Sequence, residues 1–270
     1  MESIEKALEK ARRERKTHLP PYGTAGAYSS AKPLPRFDYE QTRVEPVQAK
    51  VLRKNRIIAG FAHDPHADIF RMLRVQTLKY LQEVRGTTIG VCSPNPGVGK
   101  SLVAANLAVS LALGVEHTVL LVDADLRRPS LQSYFELDHA PGLTDYLLRD
   151  TDLPECLVNP GIERLVLLPV GTPVQNSSEV LGSPKMLSLA NELKTRYPDR
   201  LVIYDLPPLL TGDDALVALP RLDGCMLVVE ERKTRTQELQ RTLDLMKDAK
   251  LIGTVLNKSK SENAHHYYYQ

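Results

Sequence analysis

Little in this sequence suits an exported or membrane-spanning chain. Cysteine is scarce: Cys92, Cys156 and Cys225 are the only three in 270 residues, they lie far apart, and two sit inside apolar runs that read as buried strands. That usage excludes a disulfide framework and points to free core thiols in a reducing cytoplasm. No charge of one sign dominates. Lys and Arg number 35 against 33 Asp and Glu, a formal net charge of +2, so the whole molecule carries no electrostatic footprint for nucleic acid. Long hydrophobic runs are also missing. The longest, Leu102 to Val115, contains Asn106 and Ser110 and falls short of the ~20 residues that cross a bilayer. The N-terminal MESIEKALEKARRERK mixes acids with bases and has no apolar signal-peptide core. What is present, 42% hydrophobic and 25% charged residues, suffices to bury one sizeable core with flanking segments left over.

Four segments follow from the pattern. Residues 1–16 place Ile4, Ala7, Leu8 and Ala11 at helical spacing, with Glu2/Lys6 and Glu9/Arg13 in the favourable acid-first order, which predicts a short amphipathic helix. Residues 17–56 carry Pro20, Pro21, Pro33, Pro35 and Pro46 among Gly, Ser and Ala and read as an extended linker. From 57 to 259 apolar runs alternate with amphipathic stretches, and 260–270 form a tail. The runs 87–93, 118–123, 164–170, 200–205, 224–230 and 251–257 are nearly continuously apolar, as strands covered on both faces should be. Helical segments separate most of them, so the expected fold is α/β, a doubly wound and mostly parallel sheet flanked by helices.

The first of these strands runs into SPNPGVGKS (93–101) and then a helix, the order a phosphate-binding P-loop requires. Phosphates would sit on the N–H groups of Gly97, Val98, Gly99, Lys100 and Ser101, with Leu102 next in the helix. Lys100 would reach the β- and γ-phosphates, and the Ser101 hydroxyl would bind Mg2+. The usual first glycine is replaced by Pro94. Proline donates no hydrogen bond, so Pro94 and Pro96 shape the turn without cradling phosphate.

Two further strands end in acid. VLLVDADLRRP places Asp123 and Asp125 at one strand end, and LVIYDLPP places Asp205 at another, on the edge where open α/β sheets bind ligands. Such carboxylates hold Mg2+ or its waters, and either Asp123 or Asp125 is suited to act as base for a phenol of pKa ~10. Asn257 follows the last strand, where nucleotide bases are often read. The run NKSK has Lys260 where guanine readers carry Asp, which favours adenine and hence ATP.

With these elements in place the sequence resembles the bacterial tyrosine kinases (BY-kinases) of exopolysaccharide export, particularly the soluble autokinases of exosortase-associated loci. The resemblance covers roughly residues 63–270 and rests on PGVGKS, LLVDADLRRP, GLTDYL (142–147), NSSEVL (176–181), YDLPPLLTGDDA (204–215) and tyrosines at the end of the chain. It implies a P-loop kinase of the division/partition-ATPase-like fold that uses ATP and Mg2+. Catalytic roles fall to Lys100, Asp123, Asp125 and Asp205, metal contacts to Ser101, Asp123 and Asp205, and phosphate acceptance between subunits to Tyr267, Tyr268 and Tyr269. The family's oligomer helix carries E-x-x-R-x-x-R; here DIFRMLR supplies Asp68, Arg71 and Arg74, implying a homo-oligomeric ring. It further implies a cytoplasmic protein held at the inner membrane by the cytoplasmic tail of a separate polysaccharide chain-length regulator. Two other readings fit parts of the pattern. Division and plasmid-partition ATPases share the fold, but their signature lysine would fall at Asn95. A nucleotide-dependent assembly module of polysaccharide export, transferring no phosphate to protein, needs only the nucleotide site.

Overall fold

The computed structural model describes residues 42–260 apart from 115, 138–139 and 197–198. The expected helix over 1–16 and the tyrosines 267–269 lie outside the described residues. Eight strands form one sheet: β1 (Arg43–Val44), β2 (Thr88–Cys92), β3 (Thr118–Asp123), β4 (Val158–Asn159), β5 (Leu165–Leu168), β6 (Arg200–Asp205), β7 (Gly224–Glu230) and β8 (Leu251–Asn257). Their order is β1-β4-β5-β3-β6-β2-β7-β8. Every pairing is parallel except β4 with β5. All the strands read from apolar runs are present, and the fold is the expected doubly wound α/β sheet.

The central strands are buried along their length, which is why their sequences are apolar on both faces rather than alternating. The helix Lys100–Ala112 is buried at nearly every position and packs with the helix Ala67–Val84 on one face of the sheet. Leu143, Leu147, Val180, Met186, Leu189 and Met246 fill the other. Among the described residues no helix is long and apolar enough to cross a membrane.

The stretch expected as linker up to residue 56 differs from that expectation in its last part. Arg43–Val44 pairs with β4, Ala49–Lys54 is helical, and Val51 is buried. Strand pairing needs only backbone groups, so a Pro-containing segment joins the sheet edge where its N–H groups find carbonyls.

Because β3, β6, β2, β7 and β8 run parallel and side by side, their C-terminal ends share one edge. Asp123 stands directly opposite Asp205 in the β3–β6 register, and Asp205 opposite Val91, one residue before β2 ends.

Candidate functional site

The loop after β2 is held open by its own backbone chemistry. Gly97 (φ 74°) and Gly99 (φ 99°) sit in the left-handed region, which a side chain makes costly. Five of the loop's carbonyls accept hydrogen bonds. Ser93 and Pro94 accept from the N–H groups of Leu209 (2.9 Å) and Leu210 (3.0 Å), in the loop after β6. Asn95 accepts from the Ser93 hydroxyl at 2.9 Å. Val98 accepts from the Asn257 amide at 2.8 Å and Gly97 from the Lys258 ammonium at 2.6 Å. The N–H groups of Gly97, Val98 and Gly99 have no hydrogen-bond partner among the described residues. They form a ready-made anion cradle at the start of the helix Lys100–Ala112.

Lys100 points from this cradle into three buried carboxylates. Its Nζ lies 3.0 Å from Asp125 Oδ2 and 3.3 Å from Asp205 Oδ1, and 3.2 Å from the Ser101 hydroxyl. Burial alone would lower the Lys100 pKa, but Asp205, Asp125 and Asp123 outweigh it and keep the ammonium charged. One cation does not balance three acids. Asp123 is pushed up to about 7 by burial and by Asp205, against the pull of Lys100 and the N–H groups of Leu131 and Ser130. Asp205 is raised chiefly by burial, with Lys100 opposing.

The two strand-end carboxylates differ in what their oxygens do. Asp123 Oδ1 accepts from Asp125 N, and Oδ2 from Ser130 N and Leu131 N, all at 3.1 Å, so Asp123 fixes the loop that carries Asp125. Asp205 Oδ2 is buried and has no hydrogen-bond partner among the described residues. An orphaned carboxylate oxygen beside an excess of negative charge fits a hard divalent cation, which takes oxygen ligands. Among the described residues no group of three or more acidic, His or Cys side chains is arranged to hold a metal ion by itself.

Lys100, Ser101, Asp123, Asp125 and Asp205 are thus brought together around the P-loop glycines, with Leu102 half-buried in the first helical turn. Asn257 also reaches the loop, but in a way the sequence did not indicate. Its amide nitrogen is directed at Val98, and it occupies the space a Cβ on Gly99 would need. Asp68, Arg71 and Arg74 lie apart from the site on the helix Ala67–Val84. Asp68 pairs with Arg71 on its own helix, while Arg74 Nη1 donates to the Ser110 carbonyl at 2.8 Å. Arg74 therefore ties two helices of one chain, and the exposed large apolar residues of that helix include Ile69 and Val75.

Sequence reasoning missed a second set of side chains at this edge. Ser177 Oγ donates to Asp214 Oδ1 at 2.5 Å and accepts from Arg127 Nε at 2.5 Å, linking the loop after Asp125 to the segment after Asp205. Ser177 and Asp214 lie inside the NSSEVL and TGDDA motifs, which was the available signal.

The family model described as NUBPL iron-transfer P-loop NTPase (ParA) matches residues 85–267. The tyrosine-protein kinase YwqD of Bacillus subtilis (strain 168) is 34% identical over 67% of this chain and 77% of its own. The succinoglycan biosynthesis transport protein ExoP of Rhizobium meliloti (strain 1021) is 29% identical over 77% of this chain and 27% of its own. The chain likewise spans 27% of the length of the first curated relatives it matches. Among solved structures, the chimerical protein CapA2B2 superposes with a TM-score of 0.71 at 28% identity, covering 81% of this chain and 94% of that one.

Proposed function

Given that the chain belongs to the bacterial tyrosine kinases within the ParA-like P-loop NTPases, we propose that it transfers the γ-phosphoryl group of ATP to tyrosines 267–269 of a neighbouring copy and so regulates exopolysaccharide synthesis or export. The observation that carries this reading is the buried Lys100 ammonium beside Asp125 and Asp205 at the mouth of the P-loop. The N–H groups of residues 97–101 would take the phosphate oxygens. Lys100 would leave its carboxylates to follow the γ-phosphate, where its charge offsets what accumulates in the transition state. Ser101 and Asp205 would hold Mg2+, with Asp123 adding its charge; when bound, the metal neutralises β- and γ-phosphate oxygens.

The tyrosyl oxygen attacks the γ-phosphorus, the bond from that phosphorus to the β–γ bridging oxygen breaks, and ADP leaves. The phenolic proton passes to a carboxylate. Asp125 is the better placed acceptor, because Oδ2 is freed when Lys100 moves to phosphate, whereas both oxygens of Asp123 are held by loop N–H groups. Residues 57–259 would be the kinase domain and 260–270 its substrate tail.

Assembly into a ring, activation by the cytoplasmic tail of a membrane-bound chain-length regulator, and a cytoplasmic location at the inner membrane belong to the same proposal. They rest on the family and on the transport role in ExoP's name.

The test mixes a Lys100→Met chain with an intact tail and an active chain truncated after Lys260, in Mg-ATP. Phosphotyrosine is expected on the Lys100→Met chain. Label on the full-length active chain alone would restrict transfer to within one subunit. Label on neither, with ATP still hydrolysed, would replace the kinase by a nucleotide-dependent assembly module.

A further inference from the structure

The P-loop carries two glycines in the left-handed region, and glycine backbone is the least restrained of any. Its peptide planes therefore need an outside constraint if their N–H groups are to stay aimed at phosphate. In a planar trans peptide the C=O and N–H point opposite ways. Whatever fixes the carbonyl of Gly97 consequently fixes the N–H of Val98, and whatever fixes the carbonyl of Val98 fixes the N–H of Gly99.

Both carbonyls are held by the two residues at the end of β8. Asn257 Nδ2 donates to Val98 O at 2.8 Å. Lys258 Nζ donates to Gly97 O at 2.6 Å and to Glu230 Oε2, at the end of β7, at 3.0 Å. Lys258 itself has φ 57°, a conformation that side-chain-bearing residues rarely hold, and it turns the chain just past β8. The segment is tied to β7 twice more, through Glu231 N to Asn257 O at 3.0 Å and Lys260 N to Glu231 Oε2 at 2.7 Å. A cation on a carbonyl oxygen also polarises the N–H of the same peptide, strengthening it as a donor.

We propose that Lys258 and Asn257, with Glu230 holding Lys258, are positioning residues for the nucleotide: they brace the P-loop from outside and aim the Val98 and Gly99 N–H groups at phosphate. This rests on the reading of the P-loop as the nucleotide site and adds a function for residues that touch no phosphate themselves.

Isothermal titration with MgADP tests it on the full chain, comparing the parent with Lys258→Met, Lys258→Arg and Asn257→Ala. Lys258 is substantially exposed (44% of its side chain), so Lys258→Met is expected to leave the melting temperature of the nucleotide-free protein unmoved. It should weaken MgADP binding about tenfold, the range for a charge-assisted hydrogen bond, and Asn257→Ala should weaken it in the same direction. Lys258→Arg, which keeps the charge and donors, should recover most of the affinity. Parent-like MgADP affinity in Lys258→Met overturns the brace, as does a loss that Lys258→Arg fails to repair. A parent that binds no MgADP overturns both the brace and the nucleotide reading beneath it.

Discussion

At the level of single residues, Asp123 and Asp205 face each other across two strands yet should fail differently when neutralised. Asp123 accepts three backbone N–H bonds, and an asparagine there presents an NH2 to a donor. Asp123→Asn should therefore lower the melting temperature of the nucleotide-free protein as well as abolish phosphorylation. Asp205 pairs with Lys100 through Oδ1, while Oδ2 has no hydrogen-bond partner among the described residues and Asp125 adds like charge nearby. Asp205→Asn should abolish phosphorylation while costing the nucleotide-free protein less stability than Asp123→Asn, because Lys100 keeps Asp125 as its partner. Differential scanning calorimetry of the two variants separates the cases, and equal losses would place both residues in one role.

Asp223 shows the opposite balance, away from the site. Burial would raise its pKa, but Lys194, the N–H groups of Thr87 and Thr88 and the Thr88 hydroxyl outweigh it and hold the carboxyl below its ordinary range. A depressed carboxylate stabilises the fold above its unfolded pKa of ~3.9 and loses that contribution as pH falls through the folded value. Asp223→Asn should cost about 2 kcal/mol at neutral pH and flatten the fall in stability below pH ~4, as read by urea unfolding across pH. An unchanged acid limb would mean that other groups set it.

At the level of elements, the helix Ala67–Val84 shows where reading by pattern reached its limit. The spacing of Asp68, Arg71 and Arg74 marks one stripe, but only the structure shows that Arg74 is spent on Ser110. Arg74→Ala should thus lower the melting temperature of the chain itself, by a few degrees for about 1 kcal/mol. A residue acting only between subunits would change the assembly seen by light scattering and leave the monomer's melting temperature alone.

β2, β3, β5, β6 and β7 were legible because continuous apolar runs on a twice-covered sheet have no other use; β8 carries the same kind of run but lies partly exposed at the sheet edge, against the expectation that both its faces are covered. β1 and β4, two residues each, carry no periodicity to read. At the site, Lys100, Ser101 and the three aspartates were legible because strand-end acids and a Gly-rich loop have fixed places on an open sheet. Lys258 was not, because its contact with Gly97 spans 161 residues and depends on β8 lying beside β7, which no local pattern encodes.

At the level of the whole molecule, the sheet order puts β3, β6, β2, β7 and β8 side by side, so five strand ends contribute to one rim. β2 supplies the phosphate loop, β3 and β6 the carboxylates, and β7 and β8 the residues that hold the loop from outside. The arrangement gathers three buried carboxylates around one ammonium beside the phosphate loop. Lys260, the last described residue, is anchored to Glu231 at that rim. A tyrosine kinase acting on its own tail must gain phosphate there. Intact-mass analysis of the full chain before and after Mg-ATP, with fragmentation to locate each phosphate, should show phosphoryl groups added at Tyr267, Tyr268 and Tyr269 and none on the Lys100→Met chain. A full chain that hydrolyses ATP and gains no mass would contradict it.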